Sequence, residues 1–246
     1  MSCSGDQRWA RTPPARAARE AVLCGVFGSI IAAYSRRTVT GRHRLARLAG
    51  PAILVANHCS HADTPVLLLS LPAAWRRRTA VAAAADYFYG SRLVAGAVSL
   101  AFGTVPLDRG QGAGADVPHI RRLLDAGWNL VVFAEGTRSR DGRVGRMRSG
   151  AAVLSADHGV PIIPVHISGT HEAMPVGHRW MVRPEGGGRF ARHTISVCFG
   201  APIDAAALGD RAEAMARVRA FMESCGAEAR PQAASLAGLL DHQVHG

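Results

Sequence analysis

Lysine is absent from this chain: all 29 Lys-plus-Arg positions are arginine, set against 18 Asp and Glu. The formal net charge is +11, and the isoelectric point lies near 10.9. That excess implies anionic partners: phosphorylated substrates, acidic lipid headgroups, an acidic carrier protein or nucleic acid. Charge alone does not choose among them, because Arg beside abundant Ala and Gly is also what a GC-rich genome encodes. Cysteine is sparse. Cys3, Cys24, Cys59, Cys198 and Cys225 are odd in number and scattered, with no CxxC. That pattern excludes a disulfide framework and a structural zinc, and favours a reducing compartment. A long hydrophobic run is missing too. The longest near the N-terminus, Ala21 to Tyr34, is about two-thirds of the roughly 20 residues a membrane span takes. Arg16 and Arg19 precede it as in a signal peptide, but Arg36-Arg37 follow directly and no A-x-A site appears, which argues against cleavage. There is no internal repeat, and 246 residues suit one substantial α/β domain.

What the chain does contain is organised around Ala52 to Asp63, AILVANHCSHAD. A continuous apolar run reads as a buried strand. Asn57-His58 then falls at its C-terminal end, where open α/β sheets hold their ligands. Thr64 as N-cap and Pro65 at the first helical position predict a helix start. His58 and Asp63 thus face each other across one strand-to-helix turn. A neutral imidazole accepts a proton near pH 7, and a carboxylate on its other nitrogen fixes the tautomer. Alone, a His and an Asp at this spacing are a weak signal, equally suited to a structural histidine beside a helix start.

Along the chain, residues 1–14 read as a loose leader. Ala15 to Ser35 reads as a helix, bulky on one side (Val22, Leu23, Val26, Phe27, Ile30, Ile31, Tyr34) and small on the other, suited to a membrane interface or to packing on the domain. Strands are expected at Thr38–Leu45, 52–57, Thr79–Ala85, Thr104–Leu107, Asn129–Ala134, Val160–Ile167 and Thr194–Phe199. Helices are expected at Pro65–Leu71, Arg92–Phe102, Asp116–Ala126, Gly150–His158 and Arg211–Cys225, with a flexible Gly110–Gly114 linker and a weakly helical tail after Pro231. This alternation argues for an α/β fold: a single domain with a mostly parallel central sheet covered by helices, preceded by an N-terminal apolar helix. The divisions expected are 1–37 for leader and membrane-associating helix, 38–230 for the main domain, and 231–246 for a weakly ordered tail.

Three further clusters end or form strands. Gly103-Thr104-Val105-Pro106-Leu107-Asp108-Arg109 carries an Arg. Phe133-Ala134-Glu135-Gly136-Thr137-Arg138-Ser139 carries a carboxylate, a flexible Gly, a hydroxyl and another Arg, and leads into a loop with Arg140, Arg143, Arg146 and Arg148. Val160-Pro161-Ile162-Ile163-Pro164-Val165 is apolar and stiffened by two prolines. Guanidiniums match two phosphate oxygens at once, and a Gly-Thr turn can offer backbone N–H groups to an anion. Taken singly, each cluster also reads as surface ion pairs or a proline-bearing edge strand.

In this order the four blocks, NHCSHAD (57–63), GTVPLDR (103–109), FAEGTRS (133–139) and VPIIPV (160–165), resemble the glycerolipid acyltransferases of the 1-acyl-glycerol-3-phosphate acyltransferase type. The resemblance spans roughly residues 38–200. It departs at Ala134, where the family usually carries a proline that stiffens the turn; the change is expected to loosen substrate positioning while removing no reacting group. The resemblance implies that His58 is the general base, oriented by Asp63, for a lysophospholipid hydroxyl attacking an acyl thioester. It implies that Arg109 binds the acceptor phosphate, that Glu135, Gly136, Thr137 and Arg138 hold the glycerol-phosphate end, and that Pro161, Ile162, Ile163, Pro164 and Val165 shape the acyl site. It implies no metal and no cofactor, with acyl-CoA or acyl carrier protein as co-substrate. The expected partners are a lysophospholipid acceptor, the thioester donor and an anionic membrane surface, at the cytoplasmic face of the cell membrane as a peripheral or monotopic protein. The acceptor is expected to be 1-acyl-glycerol-3-phosphate, with glycerol-3-phosphate and other lysolipids open.

Two readings of other classes compete. A metal-dependent hydrolase would use His58, His61 and Asp63, but the additional ligand cluster such sites carry is missing. A nucleic-acid-binding module would use the charge, but no aromatic platform or recognised motif supports it. The remaining residues have plainer readings. Cys59 points away from His58 on extended backbone. His166 and His171 face a loop. Trp75, Trp128 and Trp180 are core or interface residues, and Arg76 to Arg78 are a solvated charge run.

Overall fold

Ile53–Ala56, every side chain of which is buried, forms the middle of the sheet. The computed structural model describes residues 7–84, 92–107, 118–139 and 141–241. Arg109, Arg140 and the Gly110–Gly114 segment lie outside the described residues. Seven strands are described: β1 (Ser35–Thr40), β2 (Ile53–Ala56), β3 (Thr79–Ala84), β4 (Thr104–Leu107), β5 (Asn129–Phe133), β6 (Ile162–Ser168) and β7 (His193–Phe199). Their order is β1-β7-β6-β2-β5-β3-β4. Every pairing is parallel except the antiparallel β6–β7. The fold is therefore a mostly parallel α/β sheet with helices on both faces.

Side chains alternate across the strands, and so does the core. Ile53, Val55, Leu130, Val132 and Ile162 pack on one face against Pro118–Asp125, Gly150–His158 and the start of Arg211–Asp241. Leu54, Ala56, Val131, Ile163, Val165 and Ile167 pack on the other, with Leu23, Ile31 and the Leu67-Leu68 stretch of the Asp63–Ser70 helix. β2 is followed in the chain by β3 on one side of it, and β5 is followed by β6 on the other. The site-bearing ends of β2, β5 and β6 thus meet where the winding reverses, the position at which such sheets bind ligands.

Several boundaries differ from the sequence reading. The first helix begins at Pro13 and continues to Tyr34 through a π-helical stretch, Val22–Phe27. Ala15, Ala17 and Ala18 extend it to 22 residues, long and apolar enough by composition to cross a membrane, with a mean hydropathy of 1.4 over its most apolar 18 residues. It is also docked on the domain: Phe27 meets Phe102 at 5.0 Å between ring centroids. The leader is not loose throughout, because Arg8–Arg11 forms a 3-10 turn that buries Ala10. Arg19 is buried, donating to the carbonyls of Ala10, Ser99 and Leu100. β1 starts at Ser35 and gives way after Thr40 to a 3-10 segment, Arg42–Arg47, so Thr38–Leu45 is not one strand and the 37/38 division falls inside β1. The last helix runs past Pro231 to Asp241. Arg76 is not a solvated charge; its guanidinium forks onto Glu20, fastening the first helix to the domain. That pairing holds the Glu20 carboxyl below its ordinary range.

Candidate active site

The turn after β2 is held on three sides. Asn57 is buried, and its amide mimics a peptide group: Nδ2 donates to the Ile167 carbonyl at 2.9 Å, while Oδ1 accepts the Ile167 N–H at 2.8 Å. This pair fastens the end of β2 to β6. The His58 N–H donates to Glu135 Oε1 at 3.1 Å, and the His58 carbonyl accepts the Ser139 N–H at 2.7 Å. Both tie the turn to the end of β5. The imidazole stacks on Phe133 with 4.1 Å between centroids.

His58 Nδ1 lies 2.9 Å from Asp63 Oδ2. Asp63 is fully buried, at 0% exposure, whereas the His58 side chain keeps 19%. Burying a carboxylate demands donors. Oδ2 also accepts the N–H groups of Cys59 at 2.7 Å and Ser60 at 2.8 Å, and Oδ1 accepts the Thr170 hydroxyl at 2.6 Å. Because an ionised carboxylate only accepts, the neutral ring placed here carries its proton on Nδ1 and keeps the lone pair on Nε2. Asp63 opens the Asp63–Ser70 helix, so the helix starts two residues before Pro65, and Thr64 is not its cap. The Asp63 carboxylate reaches back to Cys59 and Ser60 and closes the turn in place of a Thr64 cap.

No side chain beside His58 is arranged as a nucleophile. The Cys59 Sγ is buried at 3.3 Å from Thr170 Oγ1. Burial first, and the Asp63 charge second, push the Cys59 thiol up to about 12. Ser60 Oγ is bound to the Met174 carbonyl at 2.8 Å. Among the described residues no three His, Cys, Asp or Glu side chains gather as metal ligands. His58 Nδ1 and both Asp63 oxygens are already engaged within the turn, so this donor set does not suit the hydrolase reading.

Glu135 spans two backbones. Besides the His58 N–H, it accepts the Gly145 N–H on Oε2 at 3.0 Å, so both oxygens are held by the fold. Burial raises its carboxyl above the ordinary range, and these two N–H groups act the other way. Gly145 permits the approach: a Cβ there would stand 2.8 Å from Oε2. Gly136 takes φ +71°, a left-handed turn that only glycine adopts readily, and a Cβ would crowd Arg148 Nε at 3.0 Å. Thr137 is exposed and Arg138 half-buried. The Ala134 N–H donates to the Ala56 carbonyl at 3.2 Å, a rung that the family's usual proline could not make.

Beside the turn is a cavity of about 400 Å³ lined by His61, Arg138, Met174, Gly177, His178 and Arg179. Of the expected acceptor-binding residues it gathers Arg138 alone; Arg109 lies outside the described residues. Ile162, Ile163, Pro164 and Val165 are buried and divide between the two core layers, with Pro161 just before the strand. His166 lies within β6, inside the strand expected from sequence, and burial pushes it down to about 4. Trp128 is buried, while Trp180 is exposed. Sequence reasoning passed over Asn57, Thr170, His178 and Arg179. Only the polar Ser168-Gly169-Thr170 after an apolar strand hinted at Thr170. Nothing local hinted at His178 or Arg179.

Comparison with known proteins bears on the family and the fold. The chain is 31% identical over 149 residues to the chloroplastic 1-acyl-sn-glycerol-3-phosphate acyltransferase BAT2 of Brassica napus, covering 58% of this chain and 40% of that protein. It is 33% identical over 144 residues to the chloroplastic 1-acyl-sn-glycerol-3-phosphate acyltransferase LPAT1 of Arabidopsis thaliana, covering 56% and 38%. The chain thus spans about two fifths of the length of these curated relatives. The crystal structure of PlsC, the 1-acyl-sn-glycerophosphate (LPA) acyltransferase of Thermotoga maritima, shares the fold with a TM-score of 0.62 at 23% identity, covering 90% of this chain and 83% of that one. The model of the family described as Acyltransferase matches residues 36–168. That is more than half of the 246 residues, and the chain belongs to the Acyltransferase family.

Proposed function

We propose that this chain moves a fatty acyl group from a thioester to the free hydroxyl of 1-acyl-glycerol-3-phosphate, giving phosphatidic acid. The observation that carries the reading is the His58–Asp63 pair at 2.9 Å, with the carboxylate buried, set beside a cavity that Arg138 and Arg179 make cationic. The names of the relatives and of the structural neighbour point to the same chemistry.

In this mechanism Nε2 of His58 takes the proton of the acceptor hydroxyl as its oxygen bonds to the thioester carbonyl carbon. The Asp63 carboxylate stabilises the imidazolium that results. The tetrahedral intermediate collapses with cleavage of the C–S bond, and the imidazolium returns its proton to the departing thiolate. The acceptor hydroxyl is the nucleophile, consistent with a Cys59 thiol pushed to about 12 and a Ser60 hydroxyl bound elsewhere. Arg138 and Arg179 hold the acceptor's phosphate, a dianion suited to two guanidiniums. Arg109 adds to this site by resemblance. Glu135 and Gly136 position the His58 turn and the arginine loop. The donor is acyl-CoA or acyl carrier protein, and the lipid is met at a membrane surface on the cytoplasmic side.

Purified protein supplied with labelled acyl donor and lysophosphatidic acid, without added metal, should form phosphatidic acid. His58→Ala should lose on the order of 10²–10⁴-fold in rate while remaining folded by circular dichroism. Turnover retained in His58→Ala would falsify the general-base role. A panel of glycerol-3-phosphate and other lysolipids, each offered with both donors, identifies the acceptor: a phosphate monoester should be preferred, and indifference to its phosphate would refute the roles of Arg138 and Arg179.

A further inference from the structure

The segment between β6 and β7 lines the cavity and also bears the most exposed aromatic side chains among the described residues. Trp180 is 72% and Phe190 82% exposed. Around them, residues 175–192 carry Arg179, Arg183, Arg189 and Arg192 against a single carboxylate, Glu185. Two of these arginines build the surface. Arg183 donates to the Ala33 carbonyl at 3.2 Å and the Ala191 carbonyl at 2.9 Å, and its guanidinium lies 4.9 Å from the Tyr34 ring centroid. Arg192 donates to the Ala32 carbonyl at 3.2 Å. Both halves of the segment are thereby fastened to the C-terminal end of the first helix, whose exposed face includes Val26, Ala32 and Ala33.

We infer that this segment is a lipid-docking surface, with Trp180 and Phe190 entering the headgroup region of an anionic bilayer and Arg189 and Arg192 meeting its phosphates. Three observations select a bilayer over a second copy of the chain or an acidic protein. Exposed aromatics flanked by guanidiniums suit the boundary between water and apolar lipid. The patch continues onto the bare, small-residue face of a helix long and apolar enough to cross a membrane. And His178 and Arg179 line the cavity with His61 of the His58 turn, so docking here sets the cavity's mouth against the surface that holds a lipid acceptor. This last step rests on the acyl-transfer reading. The first two do not.

The test uses the full chain and vesicles of phosphatidylcholine with or without phosphatidylglycerol. Wild type should float with the anionic vesicles. Trp180→Ala/Phe190→Ala should partition on the order of tenfold more weakly, since burying even one such ring is worth the ~1.4 kcal/mol that separates tenfold steps. Bromine-labelled acyl chains should quench the emission that wild type has and Trp180→Phe lacks, a readout the first helix cannot supply. Turnover of a water-soluble, short-chain lysophosphatidate should be unchanged in the double variant. Unaltered partitioning, or an unquenched Trp180, would overturn the proposal. So would a defect confined to turnover with acyl carrier protein, which would assign the patch to an acidic protein. A chain that docks through this segment yet acylates no lysolipid would refute the acyl-transfer reading and leave the surface standing.

Discussion

Glu135→Gln separates a residue that grips the acceptor from one that only holds the turn. Each Glu135 oxygen accepts one backbone N–H, from His58 at 3.1 Å and from Gly145 at 3.0 Å. A glutamine keeps one oxygen and turns an NH2 toward the other N–H, so one charge-assisted bond, about 1.5–3 kcal/mol, is lost whichever way the amide faces. Burial holds the Glu135 carboxyl above its ordinary range, so its charge is a cost to the fold near neutral pH. The substitution removes that cost. Global stability should therefore change little, by about 1 kcal/mol or less, while the turn loses its alignment. If the lost bond falls on the orientation of His58, kcat drops roughly 10- to 100-fold and KM for the acceptor stays put. Initial rates measured against lysophosphatidic acid concentration, with a urea melt alongside, give both quantities. A KM raised tenfold with kcat intact would mean that Glu135 touches the acceptor, and the positioning argument would be wrong.

Asn57→Ala leaves the Ile167 N–H and carbonyl without partners, which costs about 2–5 kcal/mol; a urea midpoint close to wild type would refute the peptide-mimic reading. His166 is pushed from 6.5 down to about 4 by burial, so the unfolded chain binds the extra proton first. The contribution to stability is complete above about pH 6.5 and is lost as pH falls toward 4, on the order of 3 kcal/mol. His166→Gln should flatten that part of the stability–pH curve, and an unchanged slope would discount the buried neutral ring. Arg19→Met empties two carbonyl contacts that fix the first helix to the 92–102 helix, at Ser99 and Leu100, and one to Ala10 in the turn before it; limited proteolysis within residues 13–34 should quicken several-fold, and unchanged protection would show that Leu23, Ile31 and the Glu20–Arg76 pair suffice.

The sheet was legible because its strands are short apolar runs bounded by Gly, Pro and charge, and the site because polar clusters follow those runs. The His58–Asp63 contact needed only a spacing of five residues and the turn between them. What escaped were partnerships between segments far apart in sequence. Thr170 reaches Asp63 across 107 positions, and Arg183 reaches Ala33 across 150. No local pattern encodes either. Arg19 was read as a flank of an apolar run because a buried guanidinium looks, in one dimension, like any other charge. The helix start at Asp63 was misplaced for a related reason: capping statistics favoured Thr64, while the carboxylate's backward bonds to Cys59 and Ser60 decide the geometry.

The amide of Asn57 has a bearing on how such a protein could be remodelled. Aspartate at 57 could not donate to the Ile167 carbonyl, and glutamine would overshoot the rung, so the first letter of the NHCSHAD block answers to strand spacing, not to substrate. The imidazole one residue later is riveted to the sheet and moves only as the sheet moves. Altered selectivity is then best sought away from that turn, by changing the exposed cavity lining at Gly177, His178 and Arg179.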